Sequence, residues 1–289
     1  MAKMRGHGFL TSEAENFAVV LGTNEIASAI AVRLCWEGFR VVMSHDPFPP
    51  VIRRGMAFHD ALYDDRAEVD GIVAQHAETA MEIVNILAEP GKVVVTHRQL
   101  TDVITLKSPA VVVDARVQKN RTTPDLRGLA RLTIGVGPNF AVSHNCDIAI
   151  ETHPANAGAL TEKGETRRAD GVARTLGGVG KERFVYSTCA GVWRTPLDVG
   201  ALVFRDFVLG YQDRIAVRAP MDGYLRGVAR DGVLAPAGVK LVEIDPRGRS
   251  ARWTGSDDRG RRIAEGVVAA LEKAPTRRRR LRRELSRLQ

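Results

Sequence analysis

In the first half of the chain, short Val-rich runs alternate with stretches whose apolar residues recur at helical spacing. FAVVLG (17–22) reads as a strand. Residues 24–38 read as a helix with Ile26, Ile30, Leu34 and Trp36 on its apolar side, and RVVMS (40–44) as the next strand. GIVAQ (71–75), residues 77–87, KVVVTH (92–97) and residues 99–106 continue as strand, helix, strand, helix. Three further runs follow between 110 and 152: AVVVDA, LTIGVGPNF and DIAIET. Near-continuous apolar strands are buried on both faces, which predicts a parallel sheet. Residues 1–154 are therefore expected to form a Rossmann-like α/β domain.

The pattern changes after Thr152. Residues 155–186 are polar and Gly-rich and read as a connecting segment. Beyond them the chain repeats itself at an offset of 32 residues: STCAGVWR (187–194) aligns with APMDGYLR (219–226). The same offset pairs Gly200 with Gly232, Leu202 with Leu234 and Leu209 with Leu241. A fixed offset carrying glycines and apolar positions together indicates a duplicated unit. Residues 187–250 are expected to form a small β barrel-sandwich of the lipoyl and biotinyl carrier kind. The joint between its halves, GYQDRIAV, holds no lysine, and Lys240 lacks a carrier motif, so the expected role is structural or docking. Residues 251–289 read as a turn, a helix with Ile263, Val267, Val268 and Leu271 on its apolar face, capped by Ser256 or Asp257, and an Arg-rich tail.

Open α/β sheets present ligands beyond the carboxyl ends of their strands, so the candidate chemistry lies there. The first turn, GTNEIA, places Gly22 at the first glycine of G-x-G-x-x-G/A, but Asn24 stands where the second should be. A bound NAD(P) is disfavoured and a plain scaffold favoured. Asp46 lies just past the second strand. Arg53 and Arg54 follow Pro49 and Pro50 and could clamp a phosphate or pterin-like anion. His97 and Asp114 end two later strands and could face one crevice. Lys119, Asn120, Gly137 and Asn139 occupy the turns after the Val-rich runs, with Lys119 set to neutralise phosphate and the asparagines to bond a heterocycle.

Charge alters this picture little. The net charge is +8, but residues 276–289 carry seven arginines against Glu284, a net +6, which leaves +2 for residues 1–275. The basicity belongs to the tail, and no stacking aromatics accompany it, so nucleic acid is not the expected partner. Cys35, Cys146 and Cys189 form no CxxC pair; Cys35 reads as core and Cys146 as apolar filler rather than a metal ligand. No apolar run is long enough to span a bilayer and the first residues lack a secretory h-region, which gives a cytoplasmic expectation.

Several stretches together resemble one family: FAVVLGTNEIASAIAVRLCWEGFRVVM, VIRRGMAFHDALY, VVVDARVQKN, IGVGPNFAVSHNCDIAIET and RAPMDGYLRGVARDGVLAPAGVKLVEIDPRG. Their order and spacing are similar to the YqeB-type accessory proteins of selenium-dependent molybdenum hydroxylases, and more distantly to the XdhC/CoxI factors that mature xanthine dehydrogenase-like enzymes. The resemblance implies a non-catalytic role in maturation or insertion of a molybdenum hydroxylase cofactor. It implies a molybdopterin-type molybdenum cofactor as transient ligand and the hydroxylase apoenzyme as partner, with homo-oligomer formation also allowed. Two other readings remain from the residues: an NAD(P)-dependent oxidoreductase, and an interaction module docking through its β domain and basic tail.

Overall fold

The computed structural model describes residues 16–119 and 123–274. Asn120 and the arginine-rich tail lie outside the described residues. In the first unit the elements run β1 (Phe17–Leu21), α1 (Glu25–Trp36), β2 (Arg40–Ser44), α2 (Ala61–Asp64), β3 (Arg66–Val69), β4 (Ile72–His76) and α3 (Ala80–Ala88). They continue β5 (Lys92–Thr96), α4 (Leu100–Leu106), β6 (Val111–Asp114), β7 (Leu132–Val136), β8 (Ile148–Ile150) and β9 (Leu160–Thr161). These strands form one sheet in the order β3-β4-β5-β2-β1-β6-β7-β8-β9. Every inner pairing is parallel, and only the edge strands β3 and β9 run antiparallel to their neighbours.

Alternation along each strand explains why the Val runs are continuous. Successive side chains of a strand point to opposite faces. Ala18, Val20, Val41, Met43, Val93, Val95, Val111 and Val113 fill one core with α1. Phe17, Val19, Leu21, Val42, Val94 and Val112 fill the other, with Ile83 and Ile86 of α3 and Val103 of α4. Each fully buried aliphatic side chain contributes about 1.5–3 kcal/mol. In α1 the stripe is Ile26, Ile30 and Leu34; Trp36 is 57% exposed because it falls two positions past Leu34, off that face.

The second unit contains β10 (Phe184–Tyr186), β11 (Gly191–Arg194), β12 (Leu202–Val203), β13 (Val208–Gln212), β14 (Ile215–Arg218), β15 (Gly223–Val228), β16 (Leu234–Ala235) and β17 (Lys240–Asp245). It consists of two four-stranded antiparallel sheets, β10-β17-β15-β12 and β14-β13-β11-β16. The starts of β11 and β15, of β12 and β16, and of β13 and β17 are each separated by 32 residues, the offset of the sequence repeat. Each half lends its short strand to the other: β12 pairs with β15 and β16 with β11. Both sheets contribute to one core around Trp193, whose indole N–H donates to the Ala229 carbonyl at 3.1 Å. The joint between the halves is the β13–β14 hairpin, where Asp213 and Arg214 both have positive φ, as a two-residue type I′ turn requires.

The chain then returns to the first unit. The helix α5 (Asp258–Lys273) buries Ile263, Ala264, Val267 and Ala270 in the core that contains α1. Its N-cap is Asp257, whose Oδ1 accepts from Gly260 N at 2.8 Å. Close approach is built into this helix: a Cβ on Gly266 would stand 2.3 Å from the Gly158 carbonyl oxygen. No helix of the described residues is long and apolar enough to cross a membrane.

Candidate functional site

The direction of strand addition reverses at β1, which has β2 on one side and β6 on the other. This is the switch point at which open α/β sheets leave a crevice at their carboxyl edge. Gly22 leaves β1 there with φ +103, and a Cβ on it would lie 3.2 Å from both the Ala115 carbonyl oxygen and Arg116 Cα. Asn24 caps α1: its Oδ1 accepts from Ile26 N and Ala27 N, each at 3.0 Å. Its Nδ2 donates across the crevice to the Ala115 carbonyl at 2.9 Å. The backbone donors that would meet a pyrophosphate in a dinucleotide-binding turn are thus taken by the chain's own carboxamide.

Just outside this turn lies a cleft of about 1210 Å3 between the two units. One wall comes from the switch point, with Asn24, Asp46, Arg53, Arg116 and Lys119; the other comes from Lys181, Tyr186, Pro236, Gly238 and Lys240. Arg259 of α5 and the connecting residues Gly171, Val172 and Ala173 close it, and Phe48, Pro49 and Pro50 form an apolar lip. Its size exceeds the roughly 300–1,000 Å3 typical of small-molecule and cofactor sites.

Cations dominate this lining. Arg53 is neutralised from below, since its guanidinium clasps Glu243 at 2.7 and 3.1 Å and reaches Glu25 at 3.0 Å. Arg116 is held by Asp114 at 2.9 and 2.6 Å. Among the described residues no carboxylate lies within ion-pairing distance of Lys119, Lys181, Lys240 or Arg259. Arg259 donates instead to the Thr152 carbonyl at 3.0 and 2.9 Å, and burial pushes its pKa down. Lys240 stands 3.8 Å from the Phe184 ring centroid, and its amine is pushed down to about 8, first by burial and then by Arg53, Lys119 and Arg183, against the opposing pull of Glu243.

Beneath the cleft a buried charge cluster joins the two units. Glu243, with no exposed surface, accepts from Arg53 and Arg183 and lies 3.4 Å from Arg226 Nε. Burial alone would raise its pKa, but the three guanidiniums hold it below the ordinary carboxylate value. Arg226 also meets the cap residue Asp257 at 3.1 Å.

The residues singled out in the sequence separate into three places. Gly22, Asn24, Asp46 and Lys119 line the cleft. Asp114, Gly137 and Asn139 stand behind it. Asp114 is 2% exposed and positions Arg116, while Asn139 Nδ2 donates to the Gln118 and Lys119 carbonyls at 3.2 and 3.1 Å and fixes the Lys119 loop. The Gly137 carbonyl accepts from Thr166 Oγ1 at 2.6 Å, so the connecting segment covers that turn. Arg54 does not reach the cleft. Its side chain is buried, bonded to Asp60 at 2.6 Å, to Asp198 and to the Val228 carbonyl at 3.0 Å. The arginine that enters is its neighbour Arg53. Lys181, Lys240 and Arg259 carried no local signal, because each is brought to the cleft from a distant element.

His97 does not meet Asp114 either. It belongs to a row of rings along the carboxyl ends of β2, β5 and β4, with centroids 5.2 Å apart for His59–His45, 5.1 Å for His45–His97 and 5.7 Å for His97–His76. Thr23 Oγ1 lies 3.0 Å from His59 Nδ1 and 3.3 Å from His45 Nδ1. No group of three or more His, Cys, Asp or Glu side chains among the described residues is arranged to hold a metal ion. Burial pushes the Cys146 thiol up to about 12, and its packing beside Phe140 and Ala149 is that of an apolar residue.

No family model matches the chain. It is 32% identical over 256 residues to the "Uncharacterized protein YqeB" of Escherichia coli (strain K12). That match covers 88% of this chain and 47% of the relative, so the chain spans about half the length of the protein it resembles. Among solved structures, the product-bound ectoine utilization protein EutE (DoeB) from Ruegeria pomeroyi is 15% identical, covering 80% of this chain and 85% of that one. Its TM-score of 0.24 is too low to carry an argument.

Proposed function

We propose that the chain is a YqeB-type accessory protein, distantly akin to the XdhC/CoxI factors, that holds a molybdopterin-type cofactor in the cytoplasm for a molybdenum hydroxylase apoenzyme. The observation that carries this reading is the switch-point cleft, where Lys119, Lys181, Lys240 and Arg259 stand without carboxylate partners among the described residues. A molybdopterin-type cofactor joins a phosphate to a flat heterocycle. The lysines suit the phosphate, and Tyr186 with the Pro49–Pro50 lip suits the apolar ring faces. The bound group supplies redox chemistry at molybdenum to the enzyme that receives it. The residues of this chain bind, orient and shield it. In this reading the duplicated unit is a barrel-sandwich that has lost any carrier lysine and forms one wall of the cleft and a docking surface for the apoenzyme.

Fluorescence titration of the purified protein with molybdopterin-type cofactor is expected to give a Kd of about 1 µM, a level suited to delivery rather than storage. Lys119→Ala combined with Lys181→Ala is expected to weaken binding about ten-fold or more, as loss of charge-assisted contacts should. A folded double variant with unchanged affinity rejects the site.

A further inference from the structure

We infer that Lys240 is a carbonyl-reactive amine that forms an imine with a phosphate-bearing aldehyde or ketone held in the cleft. The inference rests on the cleft being the ligand site, but not on which cofactor is delivered there. Lys240 opens β17, and its neighbours Gly238 and Val239 line the same wall. Its Nζ faces the Phe184 ring at 3.8 Å. Glu243, the carboxylate that favours its charge, is already occupied by Arg53, Arg183 and Arg226. By contrast, Lys92 and Lys273 are paired with Glu89 and Glu162, both at 2.5 Å.

Desolvation and the like charges of Arg53, Lys119 and Arg183 favour the neutral amine, which is the nucleophile, and outweigh the Phe184 ring face and Glu243, which favour the ammonium. With its pKa near 8, against about 10.4 for an ordinary lysine, the neutral fraction of Lys240 at neutral pH is about 200-fold larger. Lys119 and Lys181 can hold a phosphate in the same cleft and so bring the carbonyl to it. In the reaction Nζ adds to the carbonyl carbon, the two amine hydrogens leave with the carbonyl oxygen as water, and the C=N bond remains. A lysine present only to pack on Phe184 would show none of this selectivity.

The test uses the whole protein and pyridoxal 5′-phosphate as a phosphorylated aldehyde, followed by borohydride reduction and peptide mass mapping. The expected result is one dominant adduct at Lys240, formed at least roughly ten-fold faster than at any of the seven other lysines and suppressed by inorganic pyrophosphate. Lys240→Arg should lose the adduct with no compensating gain of labelling at Lys119 or Lys181. Labelling spread over the lysines, or Lys240 labelling with the pH midpoint of an ordinary lysine, overturns the inference. Pyrophosphate binding without a Lys240 adduct overturns it while sparing the proposed function; absence of pyrophosphate binding removes both.

Discussion

Glu243 has no contact with water, and three guanidiniums converge on it from three separate parts of the chain. Removing one partner of such a cluster leaves buried charge uncompensated. Glu243→Gln is therefore expected to lower stability by about 3–5 kcal/mol in urea denaturation, far more than a surface carboxylate would. The paired histidines give a second prediction. Burial holds His59 down at about 3, reinforced by His45, Arg54, Arg230 and His97; burial and His97 hold His45 at about 4. Both groups are neutral when folded but take up a proton near pH 6.5 when unfolded. Their neutral-form advantage is complete above about 6.5 and disappears as pH falls from there toward 4 and then 3. Urea midpoints should fall over that window, and less steeply in His59→Gln; a parallel profile in the variant would contradict the assignment. At this scale sequence offered partial guidance. Lys119 was visible because it follows a Val-rich strand, whereas Arg53 and Arg54 are adjacent and only packing decides which enters the cleft.

Elements begin where their caps are. Asn24 satisfies two donors of α1, and Thr79 with Glu82 forms a capping box on α3. Asn24→Ala should cost about 1–2 kcal/mol of stability by denaturant unfolding, and Asn24→Gly somewhat less, since both also lose the Nδ2 bond to the Ala115 carbonyl. Gly22→Ala should cost more than either, since φ is +103 and the added methyl would press on the Ala115 and Arg116 backbone. The central strands were legible because each is apolar on both faces. The edge strands β3 and β9 were not, because RAEV and LT carry the short, polar pattern that edges use to avoid further pairing. Helix α3 begins three residues later than its apolar pattern suggests, since Thr79 and Glu82 set the first turn.

The whole molecule is two units clamped at Arg53, which reaches Glu25 in one and Glu243 in the other. Replacing it, as in Arg53→Met, is expected to split calorimetric unfolding into two transitions; a single transition at lower temperature would show that the remaining contacts, among them Arg54–Asp198 and Arg230–Asp64, suffice to couple the units. The cleft they enclose was not legible as a whole, because its lining runs from Gly22 to Arg259 and no sequence window holds both ends. The return of α5 to the first core has a consequence for the order of events at the ribosome. Strands β1 to β9 and the whole duplicated unit are synthesised before residues 258–273. Until then, the face of α1 that receives Gly260 at Ala29 is open to water. The unit synthesised first is thus completed last, and a nascent chain stalled before α5 presents an apolar surface that chaperones can recognise.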